Sequence, residues 1–161
     1  MNAPSHPIPL SKPALLAPVA TLPLLVFPWL NPFTSGPNST VLPYLLSWAC
    51  ASVALLWWAA LAQTNAQRLR TVALAWLVAA CVSAVLGLLQ YFDISRDWAP
   101  WVNQPGLGQA YGNLRQRNQF GTLCSMGLAA LWWWAQQAGP EQTLGQSRWR
   151  ALGAMALAAL L

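Results

Sequence analysis

Four uncharged, mainly apolar runs constrain this chain more than any other feature. They cover residues 14–33, 41–62, 72–92 and 119–137, and each is 19–22 residues long. A helix of about 20 apolar residues crosses a hydrocarbon core of roughly 30 Å. Composition points the same way, with 57% apolar and only 7% charged residues, where soluble domains carry about 25% charged. A soluble monomer and a disordered chain are both excluded. The expected fold class is an all-α integral membrane protein, a polytopic helical bundle with four predicted spans plus an incomplete fifth. The fifth run, residues 149–161, has 13 residues, about 20 Å of helix and too short to span. The chain therefore reads as the N-terminal fragment of a longer protein.

The expected organisation is a disordered cytoplasmic tail over 1–13 and a four-span membrane domain over 14–137 with an outer loop at 93–118. A cytoplasmic loop over 138–148 and the start of a truncated fifth span over 149–161 follow. Pro18, Pro23, Pro28 and Pro32 interrupt the first run, which membrane helices tolerate when neighbours satisfy the backbone. A cleaved signal peptide is the rival reading of that run. The only basic residue before it is Lys12, and the segment after it has no A-x-A site. An uncleaved first span is preferred.

Eight Lys/Arg face three acids, a net charge of +5. They stand singly or in pairs between apolar runs, unlike the clustered basic surface of a nucleic-acid binder, so no nucleic-acid partner is expected. Lys12, Arg68, Arg70, Arg148 and Arg150 place the N-terminus, the second loop and the fourth loop inside by the positive-inside rule. Residues 93–118 then lie outside. Cys50, Cys81 and Cys124 sit in apolar runs without metal-ligand spacing and read as small buried hydrophobes. His6, the single histidine, has no neighbouring ligand, and no metal site is expected.

The outer loop carries the chemistry. It is long by loop statistics, and such loops are functional or disordered. Trp98, Trp101, Leu107 and Tyr111 give it apolar side chains for packing. It closes on the one dense polar cluster of the chain: Asn113, Arg115, Gln116, Arg117, Asn118 and Gln119. Asn118 is the expected N-cap of the span beginning at Gln119. Two arginines before a helix N-terminus oppose its dipole, and on the outer side they run against the charge bias. An anion between them removes the conflict; arginines snorkelling to lipid phosphates are the bland alternative. Amide side chains alongside bind sugar hydroxyls or orient a nucleophile.

Three other features have structural readings. Trp132–Trp134 suit an interfacial aromatic belt. Asp93 and Asp97 suit a solvated span end, with Asp97 a candidate partner for Arg96 or a loop arginine. Ser83 and Gly87 form a small-xxx-small helix-packing face.

The stretch Tyr111-Gly112-Asn113-Leu114-Arg115-Gln116-Arg117-Asn118-Gln119-Phe120 resembles the signature of bacterial protein O-oligosaccharyltransferases, the protein glycosylation ligases, which are related to the O-antigen ligases. Gly121 stands where the family favours Ala, and Arg117 where many members have Pro. The resemblance implies a multi-pass enzyme of the bacterial inner membrane. It would transfer a preassembled glycan from undecaprenyl-pyrophosphate to Ser or Thr of an exported acceptor protein, on the periplasmic side, without a cofactor. Gln116 is carried over as the catalytic residue, with Arg115, Arg117, Asn113 and Asn118 as substrate-binding neighbours. The family places an essential His and further Arg residues in a later periplasmic loop, so these 161 residues are expected to be inactive alone. An O-antigen ligase or glycan polymerase, using the same carrier, is the alternative enzyme. A noncatalytic membrane subunit with lipids as partners is the alternative of another class.

Overall fold

The computed structural model describes residues 12–33, 41–61, 63–114, 116–137, 153–155 and 158, with side chains from Ala20 onward. Outside them lie most of the expected tail with His6, the loops 34–40 and 138–148, Arg115, and most of the fifth run with Arg150. The described residues form four α-helices and no strand: α1 Lys12–Leu30, α2 Val41–Ala60, α3 Asn65–Tyr91 and α4 Arg117–Gln136. A short 3-10 helix, Ile94–Trp98, follows α3.

Two helices, α2 and α3, are long and apolar enough to cross a membrane. Of the other two expected spans, α1 has its side chains described over Ala20–Leu30 only, an apolar stretch. In α4 the first turn is Arg117-Asn118-Gln119 and the last residue is Gln136, so polar ends shorten its apolar length.

The third helix begins at Asn65, seven residues before the expected run, because the sequence nucleates it there. Thr64 and Gln67 form a capping box: the Gln67 N–H donates to Thr64 Oγ1 at 3.3 Å and the Thr64 N–H to Gln67 Oε1 at 3.0 Å. Residues expected in a loop, Arg68 and Arg70 among them, are therefore helical. Arg68 Nη2 donates to the Trp58 carbonyl at 3.0 Å, placing a cation at the C-terminus of α2, where the helix dipole favours it. At 27 residues α3 is about 40 Å long.

That helix is the centre of the arrangement. It packs against α1 and α4, while α2 packs against α1. Its buried face is made of small residues, Thr71, Ala75, Ala79, Ala80, Ser83, Ala84 and Gly87, and α4 answers with Leu123, Cys124, Gly127 and Ala130. Small residues let backbones approach where apolar burial drives little association. Against the middle of α3, Ala79, Ala80, Leu114 and Leu123 form a buried cluster, with Val26, Trp29 and Phe120 packed on it. Leu114 belongs to the 93–118 connection, so that connection is anchored in the core.

Candidate functional site: the connection from α3 to α4

The connection leaves α3 through a sharp reversal. The Phe92 and Asp93 N–H groups donate to the Leu88 and Gln90 carbonyls at 3.0 Å each, and Asp93 adopts a left-handed conformation with φ 62°. Asp93 accepts from Arg96 Nε at 2.8 Å and forms an ion pair with it. Arg96 thus has Asp93 as an ion-pair partner. Buried Ser95 exchanges contacts with Gln104: Gln104 Nε2 donates to the Ser95 carbonyl at 2.7 Å and the Ser95 hydroxyl to Gln104 Oε1 at 3.3 Å.

Two buried amides fold the rest. Gln90, on the last turn of α3 and 3% exposed, makes four hydrogen bonds with main chain. Its Nε2 donates to the carbonyls of Asn103 at 2.9 Å and Gly112 at 2.7 Å. Its Oε1 accepts from the N–H groups of Tyr111 at 3.0 Å and Gly112 at 2.8 Å. Asn113 does the equivalent from the connection itself. Its Oδ1 accepts from the Asn103 N–H at 3.1 Å, and its Nδ2 donates to the carbonyls of Leu30 at 3.0 Å and Trp101 at 2.9 Å. Asn113 therefore ties the connection to the C-terminus of α1, and its amide faces main chain instead of solvent.

Gly112 is the contact point between the two amides. Its φ is +61°, and a Cβ there would meet the Ser83 carbonyl oxygen at 3.3 Å. Both the backbone conformation and the close approach call for glycine. A turn further along α3, Gly87 is likewise a point of close approach: a Cβ would lie 3.1 Å from Phe120 of α4 and 3.6 Å from Ala110. The small pair Ser83 and Gly87 thus packs against the connection and the start of α4.

After Leu114 the chain emerges. Gln116, Arg117, Asn118 and Gln119 are all exposed. Helix α4 begins at Arg117 with Gln116 as its N-cap, in extended conformation and with no side-chain capping bond. The expected cap, Asn118, lies instead within the first turn, and its carbonyl accepts the Thr122 hydroxyl at 2.8 Å. The start moves back because Gln116 already turns the chain and its carbonyl accepts the Phe120 N–H at 3.2 Å. The first N–H groups of a helix have no intrahelical acceptor. Together with the Arg117 guanidinium, which forms no ion pair among the described residues, they give a positive, solvent-facing turn suited to anionic oxygens. Arg115 lies outside the described residues.

The structure brings Gln116, Arg117 and Asn118 together at one helix start and sets Asn113 apart, in the interior. Gln90 has no place in the motif read from sequence. Its signal is a lone amide near the end of the uncharged run 72–92, a position where buried polar groups need partners. Trp132 is exposed on α4, and Trp133 and Trp134 meet edge to face at 5.8 Å between ring centres. The three cysteines are free thiols. Among the described residues, no three His, Cys, Asp or Glu side chains gather in a set fit to hold a metal.

Residues 110–135 match the family model described as protein glycosylation ligase. No curated protein and no solved structure matches the chain. The match begins at Ala110, beneath Gly87, and runs through Gln116 into the last turn of α4, so it covers both the buried approach and the exposed helix start. With two helices long and apolar enough to cross a bilayer, it marks a membrane protein. Over this short region the chain is similar to the protein glycosylation ligases.

Proposed function

We propose that the full-length gene product transfers a preassembled oligosaccharide from undecaprenyl-pyrophosphate to a Ser or Thr hydroxyl of an exported protein. The reading has α1 to α4 crossing the bacterial inner membrane with the N-terminus inside and a further span starting in 149–161. The α3–α4 connection then faces the periplasm. The observation that carries it is the family match over the segment that leaves the core at Leu114 and exposes Gln116, Arg117 and Asn118.

In the transfer, the acceptor oxygen bonds to the anomeric carbon as the bond to the pyrophosphate breaks, and the hydroxyl proton passes to water. Negative charge grows on the departing phosphate oxygen. Fixed cations and N–H donors aimed at that oxygen favour the transition state over the ground state. Arg115 and Arg117, with the first turn of α4, bind the pyrophosphate. The Gln116 amide orients the sugar or the acceptor, and Asn118 supplies a further polar contact. Asn113 serves by holding the segment in place.

The test is transfer in membrane vesicles with purified carrier-linked glycan. The Arg115→Ala/Arg117→Ala double variant inserts normally and loses transfer, while replacement by Lys at both positions does not restore the two-point geometry of guanidinium. Near-normal transfer by the double Ala variant assigns these arginines to bulk headgroups and sinks the site. Labelling of a cysteine at Gly106 from the periplasmic side of intact cells checks the topology; protection there reverses it.

A further inference from the structure

We infer that Gln90, which lies outside the family-matched segment, is a positioning residue for glycan transfer: one side chain of α3 sets where the Gln116 turn emerges. The proposal rests on the glycan-transfer reading above.

On α3, Ser83, Gly87 and Gln90 recur at helical spacing and occupy one face. Ser83 lies under Gly112, Gly87 under Ala110 and Phe120, and Gln90 bonds Asn103, Tyr111 and Gly112. The face therefore touches the connection on both sides of its 104–110 excursion and the first turn of α4. The two small residues permit approach but cannot choose a register, because van der Waals contact is not directional. The amide does choose. It offers donors and an acceptor on opposite sides, and Gly112 meets both through its carbonyl and its N–H. A shift of one residue in the connection would put like groups face to face.

The geometry at Gly112 reaches Gln116 in a few bonds. Asn113 is fixed by Leu30 and Trp101, and Leu114 is buried in the core cluster. Between Leu114 and the N-cap Gln116 stands Arg115 alone. Three successive residues, Gly112 to Leu114, are held against α3, α1 and the core, and the hold of Gln90 on Gly112 is the first of the three that set the direction in which Gln116 leaves. Side chains that align reacting groups matter strongly, since a displacement of about 1 Å can cost about 10²-fold in rate.

Full-length Gln90→Leu is compared with the unaltered enzyme in membrane vesicles, using carrier-linked glycan and an acceptor protein. Leucine keeps the volume and the helix and removes all four hydrogen bonds. The expected result is a fall in kcat per folded molecule of about 10²-fold, with KM for the donor changed by no more than about threefold, since the lost interaction acts on alignment more than on binding. Amide hydrogen exchange should rise over 103–114 and stay unchanged through α4. Should Gln90→Leu fail to insert, Gln90→Met carries the same comparison. Failure of both to insert assigns Gln90 to folding alone and overturns the proposal. So does a loss of transfer that only tracks the loss of folded protein, or normal kcat in the variant while Gln116→Ala is inactive. The last result leaves the transfer reading standing. Normal transfer by Gln116→Ala, whatever Gln90→Leu does, instead removes the reading on which the proposal rests.

Discussion

Asn113 and Gln116 stand three residues apart in one polar stretch, and the fold uses them in opposite ways. The Asn113 side chain is enclosed, bonded to α1 and to the loop's own backbone. The Gln116 side chain is exposed and makes no capping bond, at the point where the chain turns into α4. The residue between the core and that turn is Arg115. The stretch is thus two regions joined at Leu114, one that builds and one that faces outward. Chemical similarity along a motif does not imply similarity of task, because burial decides whether an amide is free to meet a ligand.

The largest expected effect separates the two regions by activity. Gln116→Ala should lower transfer by about 10²–10³-fold, some 2.7–4 kcal/mol of transition-state stabilisation. Its thermal unfolding in detergent should match the unaltered protein, since no described hydrogen bond is lost. A matching drop in the unfolding midpoint would erase the contrast. Asn113→Leu should do the reverse, lowering stability by about 1–3 kcal/mol as buried main-chain groups lose their partner. Unfolding measured by tryptophan fluorescence reads this directly. Gly112→Ala should cost about 1–2 kcal/mol, from a left-handed backbone that alanine disfavours and from contact with the Ser83 carbonyl. The smallest effect lies at the opposite end of α3. Thr64→Ala removes one half of the capping box and should cost about 1 kcal/mol, with transfer rate per folded molecule unaltered. A change in that rate would show that the N-terminus of α3 communicates with its far end.

Much of this was legible in the residues. Uncharged runs located all four helices, and the polar cluster at 113–119 located the segment that matches the family. Helix starts were less legible, for definite reasons. The apolar run at 72–92 begins where charge ends, but a helix begins where its N–H groups find acceptors, and Thr64 with Gln67 supplies them earlier. Likewise Asn118 has the stronger capping preference, yet Gln116 holds the extended conformation that an N-cap needs. Gln90 was invisible as an organiser because its four partners are all main chain, 13 to 22 residues away. Backbone donors and acceptors leave no trace in residue identity, so no pattern of side chains announces them. For the same reason Asn113 looked like its exposed neighbours.

Gln90 grips both feet of the excursion between Asn103 and Tyr111, and Gln104 is held separately by Ser95. The tip beyond them has its own small turn, with the Gln109 N–H donating to the Gly106 carbonyl at 3.1 Å and Leu107 standing 79% exposed. A loop closed at its base behaves as a module: residues can be added or exchanged at the tip while the base stays put. Insertion of a short Gly/Ser segment between Gly106 and Leu107 should leave Gln116 where it is. The tip is thereby a place where the sequence can change without reworking the base beneath it.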